Sequence, residues 1–139
     1  RGVLRGERLP RRLPRPRPAY CTRGGPTIAR AIELIHGAGG VAVWAHPFWE
    51  LAVADEVLVA LDEFVGLGLD GVEAFYITHA AEQVRLLHER ATELGLLITG
   101  SADFHGPEHA RFSRFLAFEL HGLAPRLEAI APGYGPAIR

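Results

Sequence analysis

The feature that most constrains the fold is a pattern of apolar residues that alternates between a helical period and a short continuous run. Over residues 28–35, apolar side chains recur at intervals of three and four residues, which indicates one face of an amphipathic helix. The run 41–45 is apolar throughout, as in a strand that is buried on both faces of a sheet. This order predicts an α/β fold with parallel strands, because a helical crossover returns the chain to the same edge of the sheet.

The same unit occurs twice more, at intervals of about 30 residues, which is typical of strand–helix–strand repeats. Helices are predicted near 55–67 and 84–94, and strands at 71–76 and 96–99. Two later segments, 115–120 and 125–131, are interpreted as a fourth strand and a short terminal helix. Residues 132–139 are expected to fray.

The first 23 residues differ from the remainder in composition. They hold eight of the 15 arginines, a single acid, Glu7, and four prolines that exclude a continuous helix or an interior strand. We interpret residues 1–23 as an extended or disordered segment, either a solvated linker or a basic arm that contacts nucleic-acid phosphates. Residues 24–139 are interpreted as one folded domain.

Cysteine usage and hydropathy narrow the class of protein. Cys21 is the only cysteine, which excludes an intrachain disulfide and favours a reducing compartment, so we expect a cytoplasmic location. No apolar run approaches the ~20 residues that a membrane-spanning helix needs, so no membrane partner is predicted. The glycine pairs fit neither the dinucleotide-binding fingerprint nor a phosphate-binding P-loop.

Candidate functional residues stand directly after two of the predicted strands. His46 follows the first strand, and Asp103 and His105 follow the third. Parallel α/β folds bind their ligands at the carboxyl ends of the strands, so these side chains are expected to converge on one edge of the sheet. An extended backbone would place Asp103 and His105 on the same face, because side chains alternate with a period of two. Imidazole and carboxylate ligands together suit Zn, Mn or Fe.

Two other interpretations of these three residues are open. Either imidazole could act in acid–base chemistry without a metal, oriented by Asp103, although no serine-hydrolase motif accompanies it. Alternatively, Asp103 caps the following segment, and His46 and His105 are incidental polar residues of loops.

Further polar residues are expected near the same edge. His79 is a candidate for binding a substrate, or otherwise a solvated loop residue, and His109 and Arg111 are candidates for contacting a phosphate. Glu73 interrupts an apolar strand, so it faces either this polar site or a buried partner. Three other histidines are interpreted as surface or core residues away from the edge: His36, His88 and His121.

Three stretches of the sequence carry a recognisable pattern: AGGVAVWAHP at 38–47, GLDGVE at 68–73 and TGSADFHG at 99–106. Together they resemble the PHP family, which is named for polymerase and histidinol phosphatase. Within that family, the chain is similar to bacterial metal-dependent phosphoesterases of the nucleoside 3′,5′-bisphosphate phosphatase and 5′-3′ exoribonuclease type.

The resemblance implies a distorted (β/α)7 barrel that binds up to three divalent metal ions, commonly Mn, Zn or Fe, at the carboxyl ends of its strands. It implies that His46, Asp103 and His105 are metal ligands and catalytic residues, each serving a different ion of the cluster. The metals would activate water to attack a phosphate ester of a nucleotide or of an RNA or DNA end.

The family's earlier ligands, which begin with a His-x-His on the first strand, have no counterpart before His46. A barrel of this general kind takes about 250 residues, so we expect a partial (β/α) barrel, the C-terminal part of the complete domain. Such a part exposes open strand edges. Its expected partner is therefore the missing N-terminal half or another copy of the chain, and its catalytic site is expected to be incomplete.

Two alternatives to a phosphoesterase share the same residues. The chain could be a non-catalytic, truncated PHP module that binds one metal weakly or none. It could also be a barrel metallohydrolase of the amidohydrolase type, which has His and Asp ligands at its strand ends. Metal content tests the first alternative, and the type of bond hydrolysed tests the second.

Overall fold

The structure is a computed structural model that describes residues 25–127 and 130. The predictions for 1–23 and 132–139 lie outside the described residues. Within the part that is described, no helix is both long enough and apolar enough to cross a membrane.

Three helix–strand units follow one another along the chain. The elements are α1 (Ile28–Gly37), β1 (Val43–Trp44), α2 (Ala54–Gly66), β2 (Gly71–Tyr76), α3 (Ala81–Glu93) and β3 (Leu97–Ser101). A short 3-10 helix at Pro47–Trp49 follows β1. The strand order is β1-β2-β3 and both pairs are parallel, which confirms the predicted α/β class with a parallel sheet.

Local sequence signals account for the boundaries of α1. Thr27 caps its amino end, since Oγ1 accepts a hydrogen bond from the backbone N–H of Arg30 at 3.3 Å. After the helix, Gly39 adopts a left-handed φ of 78°, which glycine tolerates best. The next residue, Gly40, donates its N–H to the carbonyl of Ile35 at 2.9 Å. This turn directs the chain from α1 into β1.

The core lies between the sheet and the helices, with β2 at its centre. All six residues of β2 are buried, and Leu61 of α2 and Leu87 of α3 have no exposed surface. Gly71 permits the close approach of β2 and β3, because a Cβ atom there would lie 2.7 Å from Cβ of Leu97. The close pairing of β2 with β3 therefore begins at the first residue of each strand.

Asp70 directly precedes β2 and makes hydrogen bonds at the opposite end of the sheet, where the strands begin. Its Oδ2 accepts a hydrogen bond from the backbone N–H of Ala42 at 2.6 Å and lies 2.7 Å from Nε2 of His36. Burial acts to raise the pKa of Asp70, but these two partners outweigh it and lower the pKa. His36 therefore lies away from the carboxyl ends of the strands, as predicted.

One predicted element is wrong, and a second is wrong in the part that the structure describes. Residues 115–120 form no strand: Leu116 has a φ of 54°, and Phe115 and Leu116 are 75% and 80% exposed. The outer edge of β3 is paired instead at Ile98, which exchanges two backbone hydrogen bonds with Arg126 in an antiparallel bridge. That pairing excludes Arg126 from the helix predicted at 125–131, of which the remainder lies partly outside the described residues.

The substitution Leu61→Ala is expected to lower the free energy of unfolding by about 2–5 kcal/mol, because it leaves a cavity at a fully buried position. Leu34→Ala is the matched control, since Leu34 is 50% exposed on α1, and it should change the free energy by no more than about 0.5 kcal/mol. Urea denaturation followed by circular dichroism measures both variants. Equal losses would contradict the described core.

Candidate metal centre

The predicted site residues meet at the carboxyl ends of the three strands. His46 follows β1, and Asp103 and His105 follow β3. Glu73 lies within β2, and Tyr76 is the last residue of that strand. Since all three strands are parallel, their carboxyl ends share one edge of the sheet.

A β-bulge in β2 decides which of its side chains reach this edge. Glu73 pairs with Thr99 and Phe75 pairs with Gly100, so β2 has one extra residue between these positions. In an unbroken strand, Glu73 and Phe75 would face the same side of the sheet. With the bulge, Phe75 is fully buried in the core, whereas Glu73 and Tyr76 both make hydrogen bonds at the site.

His46 has a left-handed backbone conformation, with φ 37° and ψ 60°, which costs about 1–3 kcal/mol in a residue other than glycine. Glu73 stabilises this turn, because its Oε2 accepts the backbone N–H of His46 at 2.8 Å. Burial raises the pKa of Glu73, the bond from His46 partly offsets the rise, and the nearby charge of Asp103 adds to it. Glu73 therefore faces the polar site, one of the two possibilities that the sequence left open.

Asp103 accepts hydrogen bonds on both carboxylate oxygens. The Tyr76 hydroxyl donates to Oδ2 at 2.9 Å, and Nε2 of His105 lies 3.0 Å from Oδ1. Burial acts to raise the pKa of Asp103, but the bonds from Tyr76 and His105 outweigh it and lower the pKa. Asp103 is thus an ionised carboxylate whose orientation is set from two sides.

The structural reason predicted for the Asp103–His105 pairing is wrong, although the two side chains do meet. β3 ends at Ser101, and Asp103 has a left-handed φ of 49° instead of extended backbone. The Ser101 hydroxyl accepts the N–H of Asp103 at 2.8 Å, and the N–H of His105 donates to the carbonyl of Phe112 at 2.8 Å. These two hydrogen bonds shape the turn that brings the pair together.

His79 is buried beside the site and is not the solvated loop residue that the sequence also allowed. It is 8% exposed, and its Nδ1 donates to the carbonyl of Ala74 at 2.9 Å. Its ring packs against those of Phe48 and Tyr76 at centroid distances of 5.4 and 5.3 Å. Burial lowers the pKa of His79, and Nε2 has no hydrogen-bond partner among the described residues. The imidazole is therefore neutral, with Nε2 as an acceptor.

Arg111 and His109 lie on the loop that follows His105. Arg111 is exposed, and its positive charge acts against the rise in the pKa of Tyr76 that burial and the hydrogen bond to Asp103 cause. The ring of His109 lies 5.2 Å from that of His105. Both residues predicted to contact a phosphate are thus located beside the Asp103–His105 pair.

Aromatic rings connect the two histidines that follow β1 and β3. The ring of Tyr76 lies 5.3 Å from that of His46, and the ring of Phe112 lies 5.1 Å from that of His105. Trp49 lies between them, at 6.3 Å from Tyr76 and 6.0 Å from Phe112. The sequence analysis did not identify these three aromatic residues. The position of Tyr76 at the end of a predicted strand was the one usable signal.

The Asp103–His105 pair consists of a carboxylate and an imidazole, which are donor types that zinc accepts. Oδ1 of Asp103 lies 3.0 Å from Nε2 of His105, which is the distance of the hydrogen bond between them, so a metal ion bound by Nε2 would replace the proton that this bond uses. In the described part of the chain, however, no group of three His, Cys, Asp or Glu side chains is arranged to hold a metal ion. His46 therefore does not complete a single three-ligand site with this pair.

Known proteins that are similar to this chain include one enzyme and two solved structures. A 5′-3′ exoribonuclease of Haemophilus influenzae is 31% identical over 102 residues, which span 73% of this chain and 37% of that enzyme. A protein of Bifidobacterium adolescentis assigned as a metal-dependent phosphoesterase superposes on 66% of this chain and 32% of its own, with a TM-score of 0.54 and 32% identity. An amidohydrolase of Chromobacterium violaceum superposes on 68% of this chain and 33% of its own, with a TM-score of 0.56 and 27% identity.

These similarities support a PHP-like phosphoesterase family. No protein-family model matches the chain. The chain spans about a third of the length of the relatives that it matches. The names of these relatives are those of hydrolases, and the Bifidobacterium protein is named as metal-dependent.

The substitution Tyr76→Phe removes the hydroxyl that donates to Asp103 and keeps the aromatic ring. The pKa of Asp103 is expected to rise towards its ordinary value of about 4, because a donor to the ionised form is lost. A carboxyl group with a depressed pKa in the folded state stabilises the fold above its unfolded pKa, and this contribution disappears as the pH falls through the folded pKa. In the variant, the stabilisation from Asp103 should therefore be smaller, and it should be lost completely at a higher pH.

Carbon-13 NMR titration of the Asp103 carboxyl group measures this change. Trp49→Phe is the control, because it alters an aromatic neighbour of Tyr76 while leaving the hydroxyl in place. An Asp103 pKa that is the same in Tyr76→Phe and in the unsubstituted chain would contradict the role of the hydroxyl.

Proposed function

We propose that this chain is part of a PHP-type, metal-dependent phosphoesterase that hydrolyses phosphate esters of nucleotides or of RNA or DNA ends. The observation that carries the proposal is the Asp103–His105 pair, in which an ionised carboxylate lies 3.0 Å from an imidazole nitrogen at the carboxyl end of a parallel sheet. The similarity to an exoribonuclease favours the nucleoside 3′,5′-bisphosphate phosphatase and 5′-3′ exoribonuclease type within the family.

The architecture proposed for the complete protein is a distorted (β/α)7 barrel, to which residues 24–139 contribute a C-terminal part. Parallel strands joined by helical crossovers support this architecture. Additional metal ligands then come from the rest of the barrel or from a second copy of the chain. Residues 1–23 are proposed as an extended Arg/Pro-rich segment, and the cytoplasm as the location of the protein.

His46, Asp103 and His105 are proposed as ligands of divalent ions, Mn, Zn or Fe, of which the complete protein binds up to three. When bound, the metal lowers the pKa of water and neutralises charge on the phosphoryl group. The other residues keep the ligands in place: Tyr76 donates to Asp103, and Glu73 holds the backbone turn at His46. Each of the three is proposed to serve a different ion of the cluster, and within the described part of the chain His46 does not share one point with the other two.

The substrate phosphate is proposed to lie between the ligands and Arg111, whose guanidinium can donate two parallel hydrogen bonds to phosphate oxygens. His79 is proposed as a substrate-binding residue through Nε2, which carries no proton; since this atom is buried, the contact requires the ring to turn towards the site. In the reaction, a water oxygen bonds to phosphorus and the ester P–O bond breaks. The leaving oxygen takes up a proton, so that the products are a phosphate group and an alcohol.

The similarity to an amidohydrolase supports a second candidate function, hydrolysis of a carbon–nitrogen bond by the same metal ligands. The arrangement of Arg111 and His109 beside the Asp103–His105 pair favours the phosphoesterase, because these residues supply donors for an anion. A truncated module without catalytic activity is the third candidate, and it predicts weak metal binding or none.

The substitutions Asp103→Asn and His105→Ala are expected to reduce bound Mn or Zn at least about tenfold, since each removes a proposed ligand. Equilibrium dialysis followed by elemental analysis of the 139-residue chain measures the metal content. His121→Ala is the control, because His121 is an exposed histidine outside the site. Unchanged metal content in both ligand variants would overturn the proposal.

Hydrolysis is measured on the same preparations, with adenosine 3′,5′-bisphosphate and an N-acyl amino acid as alternative substrates. Release of inorganic phosphate that disappears in Asp103→Asn supports the phosphoesterase. Cleavage of the amide alone would favour the amidohydrolase, and metal binding without either activity would favour the non-catalytic module.

A further inference from the structure

His109 has a side chain whose hydrogen bonds determine which ring nitrogen carries the proton. Its Nδ1 accepts the backbone N–H of Phe112 at 2.9 Å and that of Arg111 at 3.3 Å. A ring nitrogen that accepts hydrogen bonds bears no proton, so in the neutral imidazole the proton is on Nε2. His109 therefore presents an N–H donor at Nε2.

The ring of His109 is held in place by a buried neighbour. It stacks on Phe112 at a centroid distance of 5.1 Å and an interplanar angle of 24°, and Phe112 is only 6% exposed. The same phenyl ring contacts His105, whose ring lies edge-on to His109 at 5.2 Å. Stacking and the two backbone hydrogen bonds thus fix the donor of His109 beside a proposed metal ligand, on an exposed residue.

The donor of His109 contrasts with the acceptor of His79 at the same edge of the sheet. His79 donates through Nδ1 to a backbone carbonyl and leaves Nε2 as an acceptor, whereas His109 accepts through Nδ1 and leaves Nε2–H as a donor. The non-bridging oxygens of a phosphate ester are acceptors only. They match His109 and the guanidinium of Arg111, but they do not match His79.

We infer that His109 binds a non-bridging oxygen of the substrate phosphate through Nε2–H, next to the contact made by Arg111. This inference rests on the proposed phosphoesterase function and adds a specificity-determining residue to it. The alternative is a purely structural role, in which Nδ1 of His109 orders the loop from His105 to Phe112 and Nε2 contacts nothing. The two roles use different atoms of one ring, so they can be separated by substitution.

His109→Asn is the decisive variant, because Oδ1 of asparagine occupies nearly the position of Nδ1 and can accept the same backbone hydrogen bonds, while nothing replaces Nε2–H. His109→Gln is its counterpart, since the glutamine amide reaches the position of Nε2 and can donate there. His121→Asn is the matched control. His121 is exposed outside the site, and its left-handed φ of 51° suits asparagine.

Binding of inorganic phosphate to the Mn-loaded 139-residue chain is measured by isothermal titration calorimetry. We expect His109→Asn to weaken binding about tenfold, as for loss of one hydrogen bond to a charged group. His109→Gln should recover part of the affinity, and His121→Asn should bind as the unsubstituted chain does. Equal affinity of His109→Asn and the unsubstituted chain would show a structural role and overturn the inference, as would the absence of phosphate binding.

Two further readouts separate failure of this inference from failure of the proposed function. Long-range proton–nitrogen NMR must show a protonated Nε2 in His109, and protonation at Nδ1 instead would overturn the inference whatever the activity. Metal content should be the same in His109→Asn as in the unsubstituted chain. If phosphate binding depends on His109 but no phosphate ester is hydrolysed, the anion site stands and the proposed reaction fails.

Discussion

The candidate site depends on how the central strand β2 contains polar side chains while it is buried along its whole length. A buried carboxylate without a partner is costly, so Glu73 must be hydrogen-bonded wherever it lies. Its partner is the backbone N–H of His46, and this bond holds the left-handed turn after β1. The bulge beside Glu73 lets Tyr76 reach Asp103 while Phe75 stays in the core. Through the hydrogen bonds of Glu73 and Tyr76, β2 is therefore linked to the residues that follow β1 and β3.

The two carboxylates of the site have opposite electrostatic environments. Burial raises the pKa of Glu73, whereas the bonds from Tyr76 and His105 lower the pKa of Asp103 against the effect of its partial burial. Environments that move the pKa values of neighbouring acids apart suit the two groups to different roles. Asp103 is the anion that a cation can bind, and Glu73 serves as the acceptor for the backbone of the first strand end.

The loop after β3 brings most of the chemically useful groups into one short stretch. Asp103 and His105 supply a hydrogen-bonded carboxylate and imidazole, and His109 and Arg111 follow within eight residues of Asp103. The relatives of the chain include an exoribonuclease and a protein assigned as a metal-dependent phosphoesterase. The chain spans only about a third of those proteins. We therefore propose that this loop supplies part of the site and that the remaining ligands come from outside this chain.

Apolar periodicity by itself determined the three helix–strand units and their parallel order, because a strand buried on both faces needs an apolar run and a helical return. The same logic correctly located His46, Asp103 and His105 at the carboxyl ends of strands. It failed at 115–120, where Phe115 and Leu116 are exposed, Phe118 packs against the core without forming a strand, and Arg126 pairs with the outer edge of β3. The contact between Tyr76 and Asp103 was decided only by the tertiary structure. It joins residues 27 positions apart and depends on the bulged register of β2 against β3, which no local pattern of side chains encodes.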